Sequence, residues 1–203
     1  MNEKEIRFQT SSPLEIRAAE ESPGILTGYA AVYNSITEIG SYFREVIRPG
    51  AFTRAIRDNQ DVRALWNHES GIVLGRRSAG TLSISEDERG LKFELTLPDT
   101  TAGRDAAVSV KRGDISGMSF GFQVVTARWL EEADEDTELR ELLDLDLIEV
   151  SPVTFPAYAD TEVGVRSRDK FRAERSASNP TRNASSPLSI ERERQEMRKI
   201  KHT

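Results

Sequence analysis

Few residues in this chain could carry out nucleophilic catalysis. The 203 residues include two histidines and no cysteine, so a thiol nucleophile is excluded and a serine is the candidate. A serine hydroxyl needs a base within hydrogen-bond reach, and that base needs a partner that orients it. His202 falls at the end of the last predicted helix, which leaves His68 as the candidate base. With so few nitrogen and sulfur ligands, we expect neither a zinc site nor a cofactor.

His68 ends an apolar, strand-like segment that begins at Val62. Period-two alternation places it on the face of Ala64 and Trp66, so its imidazole is predicted to face inward or into a cleft. The alternative is a histidine that is simply packed or exposed at a strand end.

Ser119 is the candidate nucleophile because of its place in a second predicted strand. Alternation places Met118, Phe120 and Phe122 on one face, which is expected to pack in the core. Ser119 then lies on the opposite face, where a substrate could reach it. The alternative is an ordinary serine in a strand made irregular by glycines.

Gly117 and Gly121 flank this serine. Without side chains they let a substrate backbone approach closely, so both are candidate substrate-binding residues. The pattern Gly-x-Ser-x-Gly lacks the strand-turn-helix context of a hydrolase nucleophile elbow and is weak evidence by itself. Ser116 ranks second as nucleophile, because it would share the face of Met118 and be buried.

Glu149 is the candidate partner of the base. In the segment 143–153 it falls on the face that carries the leucines Leu143, Leu145 and Leu147. A carboxylate on an apolar face needs a histidine or arginine partner, because burying an unpaired charge is costly. The alternative is a bulge near Glu149 that turns its side chain out to solvent.

Many short β-rich segments and few helical patterns must position these residues. Together they predict a β-rich α+β fold, either a barrel or a sandwich flanked by helices. The acidic segment 130–142 is predicted to be a solvated helix or a loop. Strands are predicted over 25–33, 43–47, 62–66, 72–74, 80–84, 91–97, 115–128 and 143–153, and helices over 51–58, 101–112 and 188–201.

Charge divides the chain into an acidic body and a basic end. The net charge is −6, yet residues 166–203 carry eleven Lys and Arg against five Asp and Glu, which leaves −12 for residues 1–165. We predict a polar lead-in over 1–23, a catalytic domain over 24–165, and a basic linker with a tail helix over 166–203. An acidic body argues against direct nucleic-acid binding by that body. No apolar run approaches the ~20 residues of a membrane span, so no membrane partner is expected.

Four segments of this sequence together resemble the prohead maturation proteases of tailed phages, which are similar to the herpesvirus assemblin serine proteases. The segments occur in the order of that family and cover roughly residues 24–165. They are FREVIRPGAF at 43–52, LWNHE at 65–69, GMSFGF at 117–122 and IEVSPVTFPA at 148–157.

The resemblance implies a herpesvirus-protease-like closed β-barrel flanked by a few helices. Separately, the Ser, Asn, Arg and Pro residues over 166–187 predict a flexible C-terminal tail. It implies Ser119 as nucleophile and His68 as base. In the herpesvirus relatives the third member is a second histidine. This chain has no histidine left for that role, so Glu149 is the expected substitute.

The resemblance also implies substrates, which are the major capsid protein with its scaffold or delta domain, and the protease itself. It implies a homodimer that works inside the procapsid in the host cytoplasm. Two alternatives remain at the level of sequence. One is a capsid-interior or scaffold-associated structural protein without catalysis, and the other is a serine hydrolase of another kind, such as an esterase.

Overall fold

The computed structural model describes residues 4–9, 14–131, 137–155 and 161–178. The chain divides into two compact units, Met1–Val165 and Arg166–Thr203. The predicted assignment of these regions to a lead-in, a catalytic domain and a tail stays a prediction. The predicted tail helix over 188–201 lies outside the described residues. No helix in the described part of the chain is long and apolar enough to cross a membrane.

The described elements are mostly strands. The helices are α1 (Thr53–Arg57), α2 (Thr101–Arg112) and α3 (Thr161–Ser178). The strands are β1 (Glu5–Gln9), β2 (Glu15–Arg17), β3 (Ile25–Val32), β4 (Thr37–Ile39), β5 (Phe43–Ile47), β6 (Arg63–Trp66), β7 (Glu69–Arg76), β8 (Leu82–Glu86), β9 (Gly90–Thr96), β10 (Gly117–Leu130) and β11 (Leu139–Val153).

The strands form two sheets. The smaller one has the order β2-β3-β9-β8, and the larger follows the path β1-β10-β11-β5-β4 with β6 and β7 attached to β11. The long strands β10 and β11 pair antiparallel along their length. On its other edge, β11 pairs in parallel with β5 through its first residues and with β6 at Glu149 and Val150. The larger sheet is therefore mixed and branches at β11.

The closed barrel that the resemblance implied is wrong. In the described part of the chain, β1 and β4 end the main path of the larger sheet without pairing to each other, and the smaller sheet is separate. Closure requires one continuous ring of paired strands. The edge of β11 is instead shared between β5 and β6, so the hydrogen bonding diverges into two branches. The β-rich α+β character remains.

The two sheets share one apolar core. Phe120 and Phe122 of β10 are buried together with Leu26 of β3 and Phe93 of β9. Phe52, just before α1, packs edge-on to Phe120 with ring centroids 5.8 Å apart. Burying such side chains stabilises a fold by roughly 1.5–3 kcal/mol each. The predicted alternation of β10 is confirmed, and this packing turns Ser119 away from the core.

The lead-in holds two strands that the sequence analysis missed. Glu5 and Arg7 of β1 look like residues of a solvated segment, but both are buried. Arg7 pairs with Glu45 of β5 at 2.6 Å, and Arg140 of β11 pairs with Glu5 at 2.8 Å. Paired charges can occupy an interior that isolated charges cannot, so the polar composition hid a strand.

Two further segments differ from their predictions. The acidic segment predicted as a helix or loop includes the start of β11, where Glu141 is buried between Arg48 and Arg128. Residues 166–178 of the predicted linker are helical in α3. Within that helix Lys170 and Glu174 form an i,i+4 pair at 3.9 Å, and its Arg, Lys, Glu and Ala residues favour helix.

Candidate active site

His68 sits in a two-residue turn rather than in a strand. Asn67 and His68 connect β6 to β7, and both have left-handed backbone angles, with φ of 49° and 63°. Such angles suit a type I′ hairpin turn, in which Asn is favoured. The amide of Asn67 donates to the Pro152 carbonyl at 3.1 Å, and its side-chain oxygen accepts from the Thr154 amide at 2.8 Å. The turn is thereby tied to the end of β11, beside Glu149.

The imidazole of His68 and the carboxylate of Glu149 form a hydrogen bond of 2.6 Å between Nδ1 and Oε1. Glu149 is 1% exposed. Its Oε2 accepts from the Ser151 hydroxyl at 2.6 Å, and Oε1 also accepts from the ammonium of Lys4 at 2.9 Å. Glu149 is therefore buried, as predicted, and its carboxylate has a histidine partner, as predicted.

Several donors keep Glu149 ionised. Burial alone would raise the pKa of its carboxyl group. Hydrogen bonds from His68 and Ser151, the electrostatic attraction of His68 and the bond from Lys4 outweigh burial and hold that pKa below its ordinary value. An ionised Glu149 accepts the hydrogen on Nδ1 of His68, which leaves Nε2 as the nitrogen able to accept a proton.

A β-bulge decides which way Glu149 points. Gly121 pairs with Glu149 but the next residue, Phe122, pairs with Leu147, so Ile148 is an extra residue in β11. The extra residue reverses the alternation, and Glu149 faces away from the side of Leu147. The predicted shared face with the leucines is therefore wrong. The alternative was a bulge that exposes Glu149. The bulge is present, but Glu149 is not exposed, because Lys4 and the His68 turn cover its side chain.

Ser119 lies on the strand next to Glu149. It pairs directly with Ser151 across β10 and β11, and Gly121, two residues further along, pairs with Glu149. Residues two apart on a strand share a face, so Ser119 and Glu149 lie on the same side of the sheet. The structure thus brings His68 and Glu149 into contact and places Ser119 on the same sheet face.

The hydroxyl of Ser119 is engaged elsewhere than with His68. Ser119 is fully buried, not accessible as predicted, and its Oγ donates to the backbone carbonyl of Arg7 in β1 at 2.9 Å. Nε2 of His68 is buried and has no hydrogen-bond partner among the residues that the structure describes. The bond between nucleophile and base is therefore not made in this conformation.

Side chains of the N-terminal segment lie where side chains of Gly117 and Gly121 would be. A Cβ on Gly117 would lie 2.5 Å from the ring of Phe8, and one on Gly121 would lie 2.5 Å from Cε of Lys4. The ring of Phe8 therefore requires glycine at 117 while β1 is in place. At Gly121 a Cβ would also lie 2.9 Å from Oε1 of Glu149, so the carboxylate as well as Lys4 limits that position.

Ser116 does not compete for the site. It precedes β10 and is exposed, which corrects the prediction that it is buried on the face of Met118. Two other residues of the site were missed. Ser151 could have been found from its spacing, because it lies two residues after Glu149 on one strand. Lys4 had no signal, since nothing in a polar lead-in indicates that it reaches the site.

A comparison with known protein families identifies the family of the chain. A family model described as the caudovirus prohead serine protease matches residues 12–175. The chain belongs to this family. The prohead protease is a serine endopeptidase of phage capsid maturation, and the resemblance drawn from its sequence motifs is confirmed.

A solved structure supports the fold of the prohead protease. The capsid assembly protease of bacteriophage T4 is similar with a TM-score of 0.51 and 12% identity, over 76% of this chain and 100% of the T4 chain. At that identity the likeness shows the fold alone. No curated protein matches the chain.

Proposed function

We propose that the prohead protease cleaves peptide bonds with Ser119 as nucleophile, His68 as general base and Glu149 as the carboxylate that orients His68. Gly117 and Gly121 are the proposed substrate-binding residues. The contact that carries this proposal is the 2.6 Å hydrogen bond from Nδ1 of His68 to Glu149. A histidine held by a buried carboxylate beside a serine-bearing strand is the arrangement of a serine protease site.

Each group has one step in this mechanism. As Oγ of Ser119 bonds to the substrate carbonyl carbon, its proton passes to Nε2 of His68. His68 then gives that proton to the leaving amine as the C–N bond breaks, which leaves an acyl-enzyme on Ser119. A water molecule, losing a proton to His68, attacks the acyl carbon and releases the carboxylic product, and Ser119 regains its proton. Glu149 stays ionised throughout and stabilises the imidazolium.

The absent bond between His68 and Ser119 is compatible with this mechanism. Catalytic hydrogen bonds are often unformed before substrate binds and tighten in the Michaelis complex. In this structure Oγ of Ser119 already donates to a peptide carbonyl, that of Arg7. A peptide backbone can therefore lie within contact of the proposed nucleophile.

The proposed substrates are the major capsid protein with its scaffold or delta domain, and the protease itself. Membership of a prohead protease family supports a role on capsid proteins, and the similar T4 protein is named a capsid assembly protease. We also propose a homodimer that works inside the procapsid in the host cytoplasm. Enclosure with the substrate would provide a high local concentration.

The first prediction concerns the nucleophile. Ser119→Ala should lower cleavage of the capsid-protein precursor by on the order of 10⁶-fold, because it removes the hydroxyl proposed to form the acyl-enzyme. It should also prevent labelling by a fluorophosphonate. The lost hydrogen bond to Arg7 costs about 1 kcal/mol of stability, so the protein should still fold.

Ser116→Ala, at an exposed serine of the same segment, is the matched control and should behave as wild type. Ser151→Ala separates the two buried serines, since Ser151 lies directly opposite Ser119. If Ser119→Ala still cleaves and is labelled while Ser151→Ala is not, the nucleophile is Ser151. If an active preparation is labelled on neither serine, the proposed site is wrong.

A further inference from the structure

The N-terminal strand β1 lies where a substrate of the proposed site would lie. It pairs antiparallel with the part of β10 that carries Ser119, and Phe8 is the residue directly opposite that serine. The carbonyl oxygen of Arg7 accepts the hydroxyl hydrogen of Ser119 at 2.9 Å. The Arg7 carbonyl belongs to the Arg7–Phe8 peptide bond, so this peptide bond lies next to the proposed nucleophile.

The side chains of β1 and of Lys4, the residue before it, lie where those of a bound peptide would lie. The ring of Phe8 occupies the space over Gly117, and the stem of Lys4 occupies the space over Gly121. The ammonium of Lys4 reaches Glu149 at 2.9 Å, sharing Oε1 with His68. Main-chain pairing with pockets for alternate side chains is how proteins bind peptides by adding a strand to a sheet edge.

The other face of β1 carries one buried negative charge, on Glu5, and one buried positive charge, on Arg7. Glu5 and Arg7 pair with each other at 2.7 Å and with Arg140 and Glu45 across the interior. Arg140 and Glu45 also contact each other, at 3.2 Å. If β1 left the sheet, it would remove one positive and one negative charge, and the remaining pair would stay matched. Its departure therefore leaves no unpaired buried charge behind.

We propose that β1 is a pseudosubstrate that keeps the prohead protease latent. Residues 4–8 fill the groove on the edge of β10 in which an extended substrate peptide binds, and β1 must leave before that substrate can enter. The inference rests on the proposed function, because it takes Ser119 as the nucleophile. The groove so defined takes a peptide with a large apolar side chain over Gly117 and a basic one over Gly121, beside Glu149. The family match begins at residue 12, so β1 lies outside the part that the family model covers.

Two variants test whether β1 blocks Ser119. One deletes residues 1–9. The other, Lys4→Ala with Phe8→Ala, removes the side chains that lie over Gly121 and Gly117 but keeps the buried pairs of Glu5 and Arg7. Both should react with a fluorophosphonate at Ser119 at least about tenfold faster than wild type, a change that corresponds to about 1.4 kcal/mol in the closed-to-open equilibrium. The control is Glu15→Ala, which changes an exposed residue in β2, the next strand along the chain and part of the smaller sheet. It should react as wild type.

A second measurement does not depend on labelling. The deletion variant should cleave the capsid-protein precursor faster than wild type, and a synthetic peptide of residues 4–9 should inhibit it competitively, raising KM without lowering kcat. Circular dichroism tests whether each variant is folded. If the deletion variant is unfolded, the double variant supplies the protein for both measurements.

The outcomes separate this inference from the proposed function. Labelling of Ser119 at equal rates in wild type and the folded variants, with no inhibition by the peptide, overturns the pseudosubstrate and leaves the nucleophile in place. If no form is labelled at Ser119, the proposed nucleophile is wrong, and competitive inhibition by the peptide alone decides whether β1 occupies the substrate groove. A deletion that unfolds the protein, with a double variant no faster than wild type, shows that β1 is only structural.

Discussion

At the scale of single residues, Glu149 is the centre of the site. Its two carboxylate oxygens accept hydrogen bonds from His68, Ser151 and Lys4, although the residue is almost completely buried. Each donor offsets part of the cost of burying a charge. Of the three, His68 is the proposed general base, and in this conformation Ser151 and Lys4 hold Glu149 in place.

Glu149→Gln should therefore be more harmful than its small change in shape suggests. A glutamine amide can donate to Nδ1 of His68, which places the imidazole hydrogen on Nε2, where it cannot accept the proton of Ser119. The expected loss in kcat is on the order of 10⁴-fold, the effect of the wrong tautomer in a serine protease. This is a smaller loss than that of Ser119→Ala, and KM should change little. Steady-state kinetics on the capsid-protein precursor provide both constants.

Glu69→Gln is the matched control, because Glu69 follows His68 directly and is exposed. It should keep wild-type kcat. Near-normal kcat in Glu149→Gln together with a large loss in Glu69→Gln would transfer the orienting role to Glu69. Near-normal kcat in both variants would point to Asp114 or a water molecule.

At the scale of elements, two local irregularities assemble the site. One is the bulge at Ile148, which turns Glu149 to the face of Ser119. The other is the turn at Asn67 and His68, whose left-handed backbone places the imidazole beside β11. Bulges and tight turns often re-aim side chains next to active sites. Regular strands in both places would have kept the base and the carboxylate apart.

Substitutions at Asn67 should separate backbone conformation from hydrogen bonding. Asn67→Gly keeps the left-handed conformation but loses the side-chain bonds to Thr154, whereas Asn67→Ala loses the bonds and strains the backbone as well. The alanine variant should thus be less stable than the glycine variant by about 1 kcal/mol. Urea denaturation measures this difference. Both variants should lower kcat, because the His68 turn loses its side-chain bonds to Thr154 and keeps only the backbone bond of residue 67 to Pro152.

Asn59 offers a control for this comparison. It is exposed, has a φ of 52° and lies in the segment between α1 and β6, outside the turn of Asn67 and His68. Asn59→Ala should be less stable than Asn59→Gly by a similar amount, and neither should change kcat. Equal stability of the two Asn67 variants would show that left-handed backbone strain is not what favours asparagine there.

At the scale of the whole molecule, an interior charge cluster joins the beginning of the chain to its long hairpin. We call Glu5, Arg7, Glu45 and Arg140 the buried charge cluster. Its members come from β1, β5 and β11, and each is at most 5% exposed. Such clusters stabilise little by themselves, but removing one partner leaves a buried charge unpaired and is strongly destabilising. Together with Glu149, the cluster makes the stability of the protein depend on carboxylate ionisation.

Acid should therefore destabilise the protein in a defined window. Burial raises the pKa of Glu5, but the hydrogen bond and charge of Arg140, followed by those of Arg7, outweigh it, so that pKa is lowered, as it is for Glu149. The unfolded chain takes up protons at these carboxylates near pH 4.3, and the folded protein only at lower pH. The free energy of unfolding should be constant for these groups above about pH 5 and fall as pH drops toward the folded pKa values.

Urea denaturation between pH 7 and pH 3 measures this dependence. Glu149→Gln lacks one of the lowered carboxylates, so its free energy of unfolding should fall less steeply with acid than that of wild type. Glu88→Gln, which replaces an exposed carboxylate in the β8–β9 turn, should follow the wild-type curve. Parallel curves for wild type and Glu149→Gln would contradict a lowered pKa for Glu149.

Sequence alone was enough to reduce the candidate site to a few residues. A chain with two histidines and no cysteine leaves little choice of base, and the alternation of Met118, Phe120 and Phe122 assigns Ser119 to the opposite face. The same local signals predicted most strands, and they predicted the helix α2 with the bounds 101–112 that the structure has. These features follow from periodicity within one element, which sequence displays directly.

Only the tertiary structure decided how these residues meet. The direction of Glu149 depends on the extra residue in β11 opposite β10, and the burial of Ser119 depends on Arg7, which is 112 residues away along the chain. The branching at β11, which prevents barrel closure, depends likewise on which distant strands pair with it. Alternation reports which side of its own strand a residue occupies. A bulge, an added edge strand or a matched set of buried charges depends on the partner strand, and the partner comes from a distant part of the chain.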